Sequence, residues 1–521
     1  MKSFYLRRKC IPIGMRDEIQ IIAKSTKWDT IPKNASWVVA GLFVLKLLPS
    51  PSRNEHFNNK SGEPIMKHLP ELNIQTFLGE RPFASFQWRI LVLCLGVLIL
   101  DGFDIVIMGF IAPALVTEWG ISRDSLGVVM SSGLFGVAIG ALGGGPLADR
   151  FGRRWVIIGS IFFFGLMSVL SAWAPNLLVL SVLRFLTGIG LGASQPNAAT
   201  LASEYAPRKY RSLMVTGVYC GFTLGAAGGG ILANAIMATH GWQMILLVGG
   251  VVPMLYAAML CFFLPESAKY LVVKGTRQRE LARIANAIEP GIADGATHFV
   301  TPEREHRGRL SVNLIVSKPH LPVTLALWTG LFMSLMTLYF LNSWLPIIIH
   351  DNGFSLADAA LVGAVMQIGG TLGGVFIGWG MDRFNPHRVM IMMLIVAASL
   401  TITLGLSNPG LNGLVALVFV LGFCTNSTNT GWTALATVYY STEMRATGTS
   451  WMTGVGRFGA IFGAYIGAVL LGWNWNLNNL FLILTVPIGI TILAAYIKGL
   501  KTQAPSAVAV PADIKAKGAH Q

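Results

Sequence analysis

Charge is scarce in this chain. Asp, Glu, Lys and Arg make up 12% of 521 residues, about half the share of an ordinary soluble protein. Cysteine is scarce too, with only Cys10, Cys94, Cys220, Cys261 and Cys424. They form no CxxC pair or other metal-ligand spacing, which leaves no basis for a zinc site, a disulfide scaffold or a redox motif. Four of them fall in apolar stretches and read as small apolar side chains. There is no nucleophile–base set and no polar domain to house one, so an enzyme is not expected. The glycines of 217–230 follow no strand and lie inside an apolar stretch, which argues against a nucleotide loop. No metal and no cofactor are expected.

What fills the chain instead is apolar: 53% of residues are hydrophobic and the mean hydropathy is +0.60. These residues come in blocks long enough to cross a bilayer. Twelve spans are predicted, at about 88–116, 124–147, 155–173, 177–204, 211–236, 242–264, 321–350, 356–380, 388–406, 411–440, 444–471 and 475–498. The net charge of +15 does not indicate a nucleic-acid partner, because the positive residues sit in short loops between spans. One set of alternate loops holds Arg150, Arg153, Arg154, Arg208, Lys209, Arg211, Arg383, Arg388 and Arg445; the other holds only Arg123. By the positive-inside rule the first set is cytoplasmic, and so are both termini.

The predicted organisation is an N-terminal extension at 1–65, a cytoplasmic leader at 66–87, a six-helix half at 88–264, a cytoplasmic linker at 265–320, a second half at 321–498 and a tail at 499–521. The extension has a ten-residue apolar run at 36–45, too short to span, and is expected to be dispensable, with Met66 an alternative start. The two halves repeat. Asp149 after span 2 corresponds to Asp382 after span 8, and Pro113 corresponds to Pro346, both at an offset of 233; Arg211 and Arg445 differ by 234. Repeated halves place a binding site between them near the bilayer midplane.

Two carboxylates break this symmetry. Asp101 and Asp104 lie three residues apart within span 1, on one helix face, and their counterparts are Ser334 and Thr337. An ionised Asp at that depth costs roughly 2.5–3.5 kcal/mol, so such residues are functional candidates, here for proton coupling. The second half carries Arg457 within span 11. Its planar fork suits a substrate carboxylate, and an internal ion pair with Asp101 or Asp104 is the alternative. Arg184 in span 4 belongs either to a substrate path or to an interface it reaches by snorkelling. Trp344, Tyr339, Phe103, Trp432 and Trp451 could stack on an aromatic ring, with Trp344, beside Asn342, favoured. Gln195, Asn197, Asn426 and Asn429 could bind ring hydroxyls or join helices.

The run Gly145-x-x-x-Asp149-Arg150-x-Gly152-Arg153-Arg154 closely resembles the loop 2–3 signature of the major facilitator superfamily. That resemblance implies an all-α membrane protein of twelve transmembrane helices in two six-helix repeats. It also implies a gate built from Gly145, Asp149, Arg150, Gly152, Arg153, Glu204, Asp382, Arg383 and Arg445, in which the glycines let helices approach closely. Asn385-Pro386 replaces Gly152-Arg153 in the second half, so that gate need not be symmetric. Within the superfamily, Asp101-Gly-Phe-Asp104, Arg184-Phe-Leu-Thr-Gly, Tyr339-Phe-Leu-Asn-Ser-Trp-Leu-Pro346 and Arg445-Ala-Thr-Gly448 with Arg457 resemble the aromatic acid:proton symporter family, over about Phe86 to Ile497.

The family resemblance implies a bacterial inner-membrane carrier that imports hydroxybenzoate-type acids with protons and needs only a monomer. Asp101 and Asp104 would then couple protons, while Arg457, Arg184, Trp344 and Asn342 would bind substrate. An exporting antiporter is the main alternative, disfavoured because the glycine-rich span 5 lacks the Pro typical of exporters. A sugar symporter, suggested by Pro265-Glu266-Ser267, is disfavoured by the charged residues at mid-depth.

Overall fold

The computed structural model describes residues 71–502 apart from 123–124, 276, 294–296, 301–314, 319, 408, 441 and 474. The extension at 1–65 and most of the tail lie outside the described residues.

Among the described residues, twelve helices are long and apolar enough to cross a membrane. Spans 1–6 are Ser85–Trp119, Leu126–Phe151, Arg153–Ser171, Leu177–Tyr205, Arg208–Met237 and Thr239–Phe263. Spans 7–12 are Leu321–Asp351, Ala357–Arg383, Pro386–Leu406, Leu411–Tyr439, Thr447–Gly472 and Leu477–Leu500. Each matches a predicted span within a few residues, the usual uncertainty at helix ends. Spans 5 and 6 run together, and the chain turns between them at Gly241, whose φ of 76° is open to glycine at little cost.

The repeat persists in the packing. Spans 2 and 4 touch so closely that a Cβ on Gly136 or Gly140 would fall on the Phe185 or Ile189 carbonyl. Spans 8 and 10 repeat this with Gly369 and Gly373 against Phe419 and Phe423, each 233 or 234 positions later. Spans 1 and 5 meet at Ile99 and Gly225; spans 7 and 11 meet at Phe332 and Gly459, at the same offsets. Small residues at these crossings let backbones touch, which is how helices associate in lipid.

The leader is more than a polar tether. Glu71–Asn73 (β1) pairs in parallel with His298–Val300 (β2) of the linker, a small addition to the helices among the described residues. The helix Ile74–Glu80 follows, capped by the Asn73 side chain, and buries Ile74, Phe77 and Leu78. The linker contributes helices Ala268–Lys274 and Gln278–Ile288. Arg81 of the leader pairs with Glu289 of the linker at 2.9 Å. Leader and linker therefore form one cap on the N-terminal half at its arginine-rich end.

The halves meet mainly toward the other end. A Cβ on Gly127, at the start of span 2, would touch Ala468 near the end of span 11. Gly109 of span 1 lies against the Ser343 carbonyl of span 7, and Gly230 of span 5 against Ala360 of span 8. Midway along, Thr371 donates to Thr223 at 2.6 Å. At the arginine-rich end Asp149, Arg150, Asp382, Arg383 and Phe384 are exposed. The described contacts between the halves thus lie at the end remote from the arginines and midway along.

Candidate functional site

Two adjoining cavities lie between the halves and share Ile105, Leu134, Val137 and Tyr339 as a common wall. The larger, about 640 Å³ with its mouth, is lined by Asp101 and Gln195 from the first half and Tyr339, Thr453 and Arg457 from the second. Between these polar groups stand Ile105, Leu134, Val137, Leu335 and Ala460. The smaller, about 510 Å³, is lined by Asp104 and Arg184.

The two aspartates are not equivalent. Asp104 accepts a hydrogen bond from Arg184 Nη1 at 3.0 Å, with both side chains buried. Arg184 Nη2 also donates to Ser171 at 3.2 Å, so this guanidinium turns inward rather than snorkelling. Asp101 is 2% exposed and has no ion pair within 4 Å among the described residues. Arg457 shares its cavity without touching it; the one hydrogen bond of Arg457 among the described residues is Nη1 to the Val137 carbonyl, at 3.4 Å. Tyr219 and Tyr339 lie within electrostatic range of both Asp101 and Arg457. The pair Asp104–Arg184 is thus locked and neutral overall, while Asp101 and Arg457 face a shared space with capacity to spare.

Breaking the locked pair strands a buried charge, which costs about 3–5 kcal/mol. Asp104→Asn or Arg184→Gln alone should therefore sharply lower the amount of folded protein in the membrane and its melting temperature in detergent. The double variant should recover much of that loss. Equal losses in the single and double variants would show that the pair is not coupled.

The remaining candidates are dispersed. Trp344 is fully buried; its Nε1 donates to the Ala464 carbonyl at 2.8 Å and its ring fills the space over Gly467. It joins spans 7 and 11 and does not line either cavity, contrary to expectation. In sequence it neighbours Asn342, but helical geometry sends the two side chains different ways. Asn342 accepts from Gln367 at 3.1 Å and lines a third cavity of about 290 Å³. Trp432 is fully buried against Gly330, and Trp451 stacks on Trp328 at 6.2 Å. Asn197 is committed to the Gly144 and Ala193 carbonyls and to Arg153.

At the arginine-rich end, part of the predicted gate forms a brace within the first half. Arg153 Nε donates to Glu204 at 2.9 Å, and Glu204 accepts from the Ser267 hydroxyl at 2.5 Å. Glu266, absent from the sequence candidates, accepts from the backbone N–H groups of Arg154 and Ser267 at 3.1 and 2.8 Å. It caps the start of span 3, where the helix dipole favours negative charge. Burial pushes its carboxyl up, while backbone N–H groups of Ser267, Arg154 and Arg153 and the Arg154 charge act the other way. Arg150 lies over the Phe151 ring and Arg383 over Trp379. Arg445 is on the helix Thr442–Gly472 that carries span 11, but its side chain lies outside those described.

Gly152 has a φ of 95°, and a Cβ there would strike the Glu266 carboxylate. Gly145, by contrast, has nothing within 4 Å of its Cβ position among the described residues. Gly152→Ala should cost about 1–3 kcal/mol, and Gly145→Ala less than about 0.5 kcal/mol, read as melting temperatures of purified protein. Similar losses at both positions would contradict this geometry.

The family model of the Major Facilitator Superfamily matches residues 93–412 and 327–517. The chain belongs to that superfamily. Membership makes it a multi-pass membrane transporter, not an enzyme. It is 44% identical to the 4-hydroxybenzoate transporter PcaK of Pseudomonas putida over 434 residues, covering 83% of this chain and 97% of the relative. It is 41% identical to a gallate transporter of Pseudomonas putida, covering 84% and 98%. Against a benzoate transport protein of Acinetobacter baylyi the identity is 29%, covering 82% and 92%. Among solved structures, the inward-open xylose transporter XylE from E. coli superposes with a TM-score of 0.60 at 17% identity, covering 79% of this chain and 95% of the other. That likeness concerns the fold alone.

Proposed function

We propose that this transporter imports an aromatic carboxylate of the hydroxybenzoate type together with protons, by alternating access across a bacterial cytoplasmic membrane. Both termini are then inside. The observation that carries the reading is the shared cavity in which Asp101 of one half and Arg457 of the other stand without pairing. Its relatives, named as transporters of 4-hydroxybenzoate and gallate, support the substrate class.

The coupling follows from charge. Arg457 needs a counter-charge within a low-dielectric cavity. While Asp101 is ionised it supplies one across the same cavity and disfavours a second anion. Once Asp101 takes a proton, a substrate carboxylate becomes the counter-charge. Proton and anion thus favour each other's binding, and the effect is reciprocal. With both bound the cavity is neutral overall and the halves can rock. Inside, the proton leaves to the higher pH, Asp101 competes again for Arg457, and the anion departs.

The test is uptake of labelled 4-hydroxybenzoate into cells and into proteoliposomes. A protonophore should collapse accumulation, and a proton gradient directed inward should restore it. Higher accumulation with the protonophore would instead indicate export by antiport.

A further inference from the structure

We infer that Gln195 reads the ring hydroxyl of the substrate and so sets the preference for hydroxylated over unsubstituted aromatic acids. The assignment rests on the uptake reading above and adds to it a residue and a selectivity.

Gln195 is the one uncharged polar side chain that the first half contributes to the lining of the Asp101–Arg457 cavity. Its amide makes no side-chain hydrogen bond among the described residues. Its neighbour in sequence, Asn197, has all of its amide engaged. Gln195 is half-buried, so its amide faces the cavity with its donors and acceptor available to a ligand. Pro196 follows directly and lies within the span 4 helix. It donates no N–H to the helical ladder, although the helix continues through it to Tyr205.

The rest of the cavity suits one ring. Arg457, from the second half, matches a carboxylate with two parallel hydrogen bonds. Ile105, Leu134 and Val137 face Leu335 and Ala460, giving apolar walls from both halves for the ring between them. Arg457 reaches across to the Val137 carbonyl of the first half, and in the same cavity the amide of Gln195 can both donate to and accept from a phenolic hydroxyl. Thr453 is less suited, because its hydroxyl already donates to the Thr449 carbonyl. A hydroxylated acid can meet both Arg457 and Gln195, whereas benzoate leaves the amide unmet.

The experiment measures competition by unlabelled 4-hydroxybenzoate and benzoate against labelled 4-hydroxybenzoate uptake, in wild type, Gln195→Leu and Gln195→Asn. Wild type should prefer the hydroxylated acid by about 10- to 100-fold, the range expected for one buried hydrogen bond. Gln195→Leu should erase that preference by weakening hydroxybenzoate while leaving benzoate unchanged or tighter. Gln195→Asn should retain part of it. If Gln195→Leu transports too weakly to measure, stabilisation of the purified variant by each acid on heating gives the same comparison. An unchanged preference in Gln195→Leu, or equal loss for both acids, overturns the assignment and leaves the uptake reading standing. If wild type takes up no aromatic acid, both fall.

Discussion

Asp101→Asn should abolish uphill accumulation of 4-hydroxybenzoate while sparing exchange of substrate across the membrane. The amide stands in for the protonated acid: it has nearly the same shape, and it cannot supply Arg457 with a negative charge. Arg457 should then be permanently available to the anion, so binding should be kept or tightened. What is lost is the link to the proton gradient. For a monoanion carried with one proton, each pH unit across the membrane supports about tenfold accumulation. The variant should equilibrate labelled substrate and no more, with no response to a protonophore. Counterflow in proteoliposomes separates the two properties, since it needs substrate binding and rocking but no proton release. Normal uphill accumulation by Asp101→Asn would remove Asp101 from the coupling. Because Asp104 is locked to Arg184 at 3.0 Å, its substitution should fail differently, through loss of folded protein rather than loss of coupling.

Arg457→Ala should lose substrate binding by about 2–5 kcal/mol, the cost of removing one partner of a desolvated charge pair, which is roughly 30-fold or more in affinity. Arg457→Lys should fare nearly as badly. Lysine is a point charge on a flexible stem and cannot present the parallel donors that grip a carboxylate. Both variants should insert and fold, because the Arg457 side chain makes one hydrogen bond among the described residues, at 3.4 Å, and little packing depends on it. The measurement is competition by unlabelled 4-hydroxybenzoate, together with the amount of folded protein. Full affinity in Arg457→Lys would reduce the role of Arg457 to simple charge balance. Amide and ester analogues of the acid should not compete in wild type, since they carry no charge for the guanidinium to meet.

The architecture was legible from sequence because the bilayer imposes a long-range rule on a local property. A helix that crosses lipid must be apolar along its whole length, so composition alone marks each of the twelve spans. The internal repeat was equally visible, since Asp149 and Asp382 punctuate the two halves at a fixed spacing, and that spacing reappears where Gly136 and Gly369 pack. The rarity of charge within spans singled out Asp101, Asp104, Arg184 and Arg457, because each is expensive at that depth.

What sequence could not decide was who faces whom. Asp101 and Asp104 share a helix face, yet one is held by Arg184 of span 4 and the other opens onto Arg457 of span 11. Trp344 has an aromatic ring of the right kind, but the approach of span 11 turns it into the partner of Ala464 and Gly467. Glu266 reads as part of a linker, and only the close approach of Gly152 at φ 95° brings it under span 3. Partnerships of this kind depend on side-chain direction and on helix crossings between residues more than 50 positions apart. Spacing along one helix carries no information about either. Sequence determined that this chain is a twelve-span carrier with a few costly charges inside; tertiary packing decided which of those charges are locked together and which remain open to a ligand.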